Sequence, residues 1–429
     1  MKIHLPILLS IIFTASIVLS CVDHNIEGSE FPEKAEASRP AILSEVNGVK
    51  VYNGGFGSSI VQDSIDKDVF YLLTDRGPNI DGTVLNSKVF ANPDFVPQIG
   101  RFRLSGTELV LEKVIDLKND KGGKLNGLPN PVQGFSGELA LNTQNNTLAN
   151  SEDGLDSEGL ALAKDGTFWV SDEYGPHIIH FDRDGNTIEK INPFGTGKGG
   201  RKIPAVFARR RANRGMEGLT ITPDGKTLIG IMQFPLYNPT SAAVSGSLVT
   251  RILAFNIADG TSKQYAYLID RANLQANSEI VAITNTTFLV LERDGEFATN
   301  ANKTTVFKKV YKIDISGATD ISDPGNSEAG KLFSGLTVEQ LKDAVMLQAN
   351  GIVPVTKTLA ADLMTDIPSL YPHDKAEGIV IINSTLIGIC NDDDFGVTGV
   401  GTYVSKILAG TGLVDRNTIY FVKLKKPLW

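Results

Sequence analysis

Five segments of this chain open and close on residues that could do chemistry. The openings are Ser59, Glu158, Glu217, Glu279 and Glu377. The closings are Asp75, Asp172 with Glu173, Gln233, Glu292, and Asn391 with Asp392. Opening and closing lie 16, 14, 16, 13 and 14 residues apart, close enough to be one pattern. Oxygen donors drawn from several segments suit a hard divalent cation. Ca²⁺, which accepts roughly 6–8 oxygens in flexible geometry, is the best match; Mg²⁺ or Mn²⁺ would use fewer protein ligands. Zn²⁺ is a poor match, because the 5 histidines form no His-x-x-x-His pair.

Like charges gathered in a low-dielectric channel repel one another, so such a cluster needs cations or protons. Arg76 follows Asp75, Arg293 follows Glu292, and Arg209, Arg210, Arg211 and Arg214 precede Glu217. A metal beside guanidinium forks suits a phosphoester: the metal polarises the phosphoryl group and the forks hold its oxygens. The plainer alternative is that each glutamate caps a turn or pairs with an arginine. A second echo relates Thr74-Asp75-Arg-Gly77-Pro78 to Ser171-Asp172-Glu173-Tyr-Gly175-Pro176, with His177 just beyond. His177 has the chemistry of an acid or base there; a solvated loop histidine is the alternative.

The elements that must position these groups are hairpins. Asp156-Ser-Glu158-Gly-Leu-Ala-Leu-Ala-Lys-Asp-Gly-Thr-Phe-Trp-Val-Ser-Asp172 aligns with Gly215-Met-Glu217-Gly-Leu-Thr-Ile-Thr-Pro-Asp-Gly-Lys-Thr-Leu-Ile-Gly. Alternating apolar residues either side of Asp-Gly signal a hairpin. The pattern recurs from Ser278 to Glu292 and from Ala376 to Cys390, and more weakly from Gly57 to Asp75. A second pair of strands follows each copy, as in Ile178–Phe181 with Thr187–Ile191. Thr418 to Leu424 supplies such a strand at the end.

Repeated four-stranded antiparallel units predict an all-β fold, a β-propeller. Five modules are clear. A sixth is expected, hidden in residues 120–150 or completed by the strand near Leu43 to Val51. Long insertions are expected at 118–150, 193–215 and 321–375, with a short helix over Thr337 to Leu347. The first strand of a blade lines the channel and the second runs back. Its start and the other's end therefore share one rim, where the carboxylates gather.

Lys2 precedes an apolar run from Leu5 to Leu19, followed by Val18-Leu19-Ser20-Cys21. That is a secretory signal, too short for a membrane span of about 20 residues. A cysteine after the small residue suggests a bacterial lipoprotein, with Cys21 lipidated and the protein held on the cell envelope, periplasmic or outer-membrane associated. A general signal-peptidase cut is the alternative. Residues 21–40 then read as a tether, and 41–429 as one propeller domain. Lipidation would leave Cys390 as the single remaining thiol of 2 cysteines, so no disulfide is expected.

Composition narrows the partners. The formal charge is −8, from 41 Lys plus Arg against 49 Asp plus Glu; losing residues 1–20 removes one lysine and makes it −9. A chain this acidic is a poor nucleic-acid binder. Membrane contact is expected only through the anchor. The 42 glycines among 429 residues exceed the usual level of about 7%, and point to many turns.

Asp156-x-Glu158-Gly159, Ser171-Asp-Glu-Tyr-Gly-Pro176, Asn213-Arg-Gly-x-Glu217-Gly218, Met232-Gln233 and Glu292-Arg293 together resemble the phytase-like family, labelled "esterase-like activity of phytase". The resemblance covers about residues 41–424. It implies a β-propeller with acidic functional residues and metal-assisted phosphoester hydrolysis. The chain departs from its own pattern at Ser59 and Gln233, which leaves one side of the channel less charged. No Gly-x-Ser-x-Gly elbow, P-loop or dinucleotide fingerprint is present.

Three readings follow. In the first, an exported phosphoesterase binds a divalent metal, Ca²⁺ best, through Glu158, Glu217, Glu279, Glu377, Asp75, Asp172, Glu292 and Asp392. Arg76, Arg209, Arg211 and Arg214 then hold phosphate, and Glu173 and His177 are further catalytic candidates. The second is a metal-dependent lactonase or ester hydrolase. The third is a non-enzymatic lipoprotein with a structural metal.

Overall fold

The strand Thr227–Met232 shows why the repeats become blades. Leu228 and Met232 pack with Trp169 and Ile178 of the preceding repeat, whereas Ile229 and Ile231 pack with Ile280 and Phe288 of the following one. Successive strand residues point to opposite faces. Here both faces are covered by neighbouring sheets, so the strand is apolar on both. The cores of the molecule accordingly lie between adjacent sheets.

The computed structural model describes residues 31–38, 40–130, 137–211, 213–271 and 276–429. The proposed signal and Cys21 lie outside them. Among the described residues no helix is long and apolar enough to cross a membrane.

Each repeat is a four-stranded antiparallel blade, ordered from the channel outwards. Blade 1 comprises Ser59–Gln62, Val69–Leu73, Gln98–Ser105 and Glu108–Asp116. Blade 2 comprises Ser157–Leu162, Phe168–Asp172, Ile178–Phe181 and Thr187–Ile191. Blade 3 comprises Met216–Ile221, Thr227–Met232, Val249–Asn256 and Ser262–Leu268. Blade 4 comprises Ala276–Ala282, Thr287–Arg293, Lys308–Asp314 and Thr356–Asp362. Blade 5 comprises Gly378–Asn383, Leu386–Cys390 and Thr418–Lys423, completed by the N-terminal strand Lys34–Ala37.

The inner strands neighbour one another in cyclic order, and that of blade 5 meets that of blade 1. This is a closed β-propeller. The described residues build five blades, not the expected six. Blades 5 and 1 also join at their outer edges, where Glu36 and Ala37 pair in parallel with Glu108 and Leu109. The strand Lys34–Ala37 thus holds residues 34–36 against residues 418–420 and closes the ring.

Several expectations about the insertions need correction. Among the described residues between 118 and 150 only Leu139–Asn142 forms a strand, and it joins Asn79–Asp81 and Ser87–Phe90 in a small three-stranded sheet. The strands Ile42–Val46 and Val49–Tyr52 pair only with each other. Lys34–Ala37, expected in the tether, is the closing strand. Thr356–Asp362, expected inside an insertion, is the outer strand of blade 4. The helix expected over 337–347 splits into a 3-10 turn, Val338–Leu341, and a helix, Ala344–Ala349. Lys342, at φ 59, breaks it.

Candidate functional site

The inner strands of blades 2, 3 and 4 start on β-bulges. The register shifts between Ser157 and Leu160, between Met216 and Gly218, and between Asn277 and Glu279. A bulge places two residues against one and re-aims a side chain. Here it turns Glu158 and Glu217 toward the channel end. Gly159 is there for close approach: a Cβ would lie 2.4 Å from the Leu219 nitrogen of the next blade. At Gly218 it would lie 2.6 Å from the Ile280 nitrogen. The glycines let the inner strands converge and the glutamates occupy the space above.

That space is a cavity of about 330 Å³. Asp75, Asp156, Glu158, Glu173, Glu217 and Glu377 line it, with Arg76, Arg214, Arg293 and Lys375 among them. Asp156, Glu158 and Glu173 each offer an oxygen within 4.8 Å of the others'. Three buried carboxylate oxygens here meet no N–H or hydroxyl donor: Asp156 Oδ1, Glu173 Oε1 and Glu217 Oε2, although Glu173 and Glu217 share a hydrogen bond when one of them is protonated. Buried acceptors are almost always satisfied, so three orphans in one cavity call for a ligand. The donor set is all oxygen, as a hard cation such as Ca²⁺ requires. The residues therefore fit a divalent ion.

The electrostatics agree. Burial, then repulsion from Glu217 and Asp156, pushes Glu158 well above the ordinary carboxylate range. Burial, then Glu173 and Glu377, does the same to Glu217. Asp156 is likewise pushed well up by burial, against the pull of Arg76. Asp75 rises to about 6, because burial outweighs Lys375 and Arg76. At neutral pH Asp156, Glu158 and Glu217 hold protons unless positive charge replaces them.

Around the triad is a fixed frame. Arg76 Nη1 lies 3.2 Å from Glu138 and 3.4 Å from Asp156. It also donates to the Tyr174 hydroxyl at 2.5 Å, and that hydroxyl donates to Glu138 at 2.6 Å. With its carboxamide oriented by these neighbours, Asn213 donates to Glu173 and to Asp156, each at 2.9 Å, and accepts from Arg76 at 3.2 Å. Gln233 donates to Glu217 at 2.5 Å. Arg293 pairs with Glu377 at 2.5 Å.

The expected site residues thus separate into two groups. Glu158, Glu173, Glu217, Glu377, Asp75, Arg76 and Arg214 line the cavity. The others do not. Glu279 accepts from Ser59 Oγ, from Ile280 N at 2.9 Å and from Leu219 N at 3.2 Å. Glu292 turns outward between blades, accepting from Tyr267 at 2.5 Å and pairing with Lys357. Asp172 is consumed by the backbone nitrogens of Asp156, Tyr174 and Gly175 and by His177 at 2.8 Å. Asp392 pairs with Lys375 at 2.7 Å. His177 is buried and pushed down to about 4 by that burial, so it stays neutral and holds a turn. Arg209 pairs with Glu328 at 2.9 Å on the surface. Arg211 stands over the Phe234 ring at 4.9 Å, in a neighbouring cleft.

Sequence reasoning left out Asp156, Asn213, Glu138 and Tyr174 as site residues. Asp156 had a signal: it lies two positions before Glu158 in the same repeat. Asn213 sits at φ 47 just ahead of blade 3, a left-handed position that asparagine tolerates better than most. Glu138 lies in an insertion with no repeat partner, so no local pattern could find it.

A closed five-bladed ring with an acidic cavity at one end of its channel defines the class: a β-propeller whose site lies at the channel mouth. The chain belongs to the phytase-like family, described as esterase-like activity of phytase, which matches residues 52–395. A protein of Arthroderma benhamiae described as an uncharacterized secreted protein is 28% identical over 342 residues, which is 64% of this chain and 66% of that one. The match therefore spans just under two thirds of the relative. Among solved structures, a Lactobacillus plantarum protein is 11% identical at a TM-score of 0.35, covering 89% of this chain and 88% of that one. The periplasmic gluconolactonase of Pseudomonas aeruginosa is 9% identical at 0.31, covering 85% and 88%. Likeness this loose says nothing about chemistry.

Proposed function

We propose that this chain is an exported, metal-dependent phosphoester hydrolase. The observation that carries the reading is the set of orphaned buried oxygens on Asp156, Glu173 and Glu217 beside the guanidinium of Arg214. Asp156, Glu158 and Glu173 would hold the ion, with Glu217 and Asp75 alongside. A divalent cation there would supply Lewis-acid polarisation of a phosphoryl oxygen and would acidify water.

The protein's own groups divide the remaining work. Among the described residues Arg214 has no carboxylate partner; its Nη1 donates to the Asn213 carbonyl at 2.8 Å. Its other donors are available for phosphoryl oxygens. Arg76 is committed to Glu138, Asp156 and Tyr174, so it positions Asp156 rather than gripping substrate. Asn213 orients Glu173 and Asp156 in the same way.

Export is supported by the apolar run after Lys2 and by the relative described as secreted. Lipidation at Cys21 is part of the proposal; Cys21→Ser would release the protein from the membrane fraction.

The test is elemental analysis of the purified protein, followed by assay on p-nitrophenyl phosphate, bis-p-nitrophenyl phosphate and a lactone, with and without chelator. Bound divalent metal and chelator-sensitive phosphate release are expected. A metal-free protein that binds no added Ca²⁺ would overturn the reading. Lactone hydrolysis without phosphate release would replace it.

A further inference from the structure

The acidic cavity does not end at its own walls. A second cleft, of about 670 Å³, opens beside it, and the two share Lys88, Asn213 and Arg214. The larger cleft is built by the loop between Asp81 and Lys88, by Arg211, Asn213 and Arg214, and by Tyr237 and Val400. Its outer wall carries exposed apolar side chains among polar and charged ones, including Asp81, Lys88 and Arg211. Leu85 is 89% exposed, Val400 67%, Val84 55% and Tyr237 36%. Scattered exposed apolar residues are normal, but four on one cleft are a patch, and patches of that kind mark binding sites.

Charge varies between the two spaces. Carboxylates crowd the small cavity. At the junction, Arg214 stands over Phe234 at 5.8 Å, and Arg211 stands over the Phe234 and Tyr237 rings at 4.9 and 5.7 Å. Neither arginine has a carboxylate partner among the described residues. Moving outward, a ligand would meet acid, then guanidinium, then a wall where Val84, Leu85 and Val400 stand beside the Lys88–Asp81 ion pair. A bare phosphate needs only the first two.

We propose that the cleft binds the alcohol portion of the substrate, and that this portion is apolar or aromatic. The inference rests on the phosphoester reading of the adjoining cavity. The phosphoryl group lies at the Arg214 junction, and the organic group lies against Leu85, Val84, Tyr237 and Val400. The occupant follows from continuity: the two spaces share residues, so one molecule can fill both. Leu85 and Val400 are then specificity-determining residues, remote from the reacting atoms.

The experiment measures binding, not turnover. Methylphosphonate and 1-naphthylphosphonate are titrated into the Ca²⁺-loaded protein and followed by ³¹P resonance. The naphthyl compound is expected to bind at least ten-fold more tightly. Leu85→Asn and Val400→Asn, which add no charge, should each erase most of that gain and leave methylphosphonate affinity unchanged. Both positions are solvent-exposed, so folding is expected to survive, and unchanged methylphosphonate binding verifies it. If both ligands bind equally, or the gain survives both substitutions, the cleft assignment fails while the phosphoester reading stands. If neither phosphonate binds, the phosphoester reading fails and the assignment fails with it.

Discussion

The Ser59 hydroxyl donates to the Glu279 carboxylate across the channel, from blade 1 to blade 4. The same hydroxyl accepts from Leu160 N of blade 2 at 3.1 Å, and Glu279 accepts from Leu219 N of blade 3. Four blades therefore meet at one hydrogen-bonded node inside the channel. Ser59 is the module start that departs from glutamate, and its role explains the departure: a second glutamate there would face Glu279. Ser59→Ala should destabilise the fold by about 1–3 kcal/mol, because it strips a donor from a buried carboxylate. Calcium affinity should not change. Calorimetric titration and thermal melting measure the two separately, and a lost calcium site would show that the node belongs to the metal centre.

Glu158→Gln and Glu217→Gln should act oppositely. Each removes a charge from the cavity, so calcium affinity should fall roughly ten-fold or more. Without metal, each should melt close to the parent, since glutamine replaces a carboxyl that burial and its acidic neighbours already keep protonated. In the parent, calcium at a hundred times its Kd should add about 2.7 kcal/mol of stability. A parent whose melting temperature ignores both calcium and chelator would refute the site.

Gly159→Ala tests the bulge. Its Cβ would meet the backbone nitrogen of Leu219 at 2.4 Å, and backbone cannot rotate away. A loss of about 1–3 kcal/mol is expected from overpacking. A substitution tolerated without loss, measured by urea denaturation, would mean the inner strands are further apart.

His177 makes a pH prediction. The unfolded chain takes up its proton near 6.5, whereas the buried ring resists until about 4. Protons then favour the unfolded state. The histidine's share of stability is whole above 6.5, falls between 6.5 and 4, and is gone below. Over that window the loss is about 3 kcal/mol. The difference in stability between the parent and His177→Gln should shift by that amount between pH 7 and pH 4. Parallel pH profiles would show that His177 titrates normally.

Much of the architecture was legible because strand signals are local. The Asp-Gly turns at Gly166, Gly185, Gly225 and Gly260 all take left-handed φ between 74 and 83. The alternation around them set the four-strand repeat. The blade count was not legible, because residues 34–37 carry no sign that they pair with residues 418–420. Within the site, the repeat located Glu158, Glu173 and Glu217. It could not separate them from Asp172 or Glu292, which occupy equivalent positions and face elsewhere.

From the sequence alone came the repeat, the shared rim and the acidic character of the channel. These depend on spacing, and spacing in a strand translates directly into direction. The tertiary structure decided which carboxylates remain without partners. Glu292 is neutralised by Lys357, 65 residues on, and Asp156 is framed by Arg76 and Glu138. A buried charge is judged by its neighbours, and those neighbours are assembled only when the ring closes.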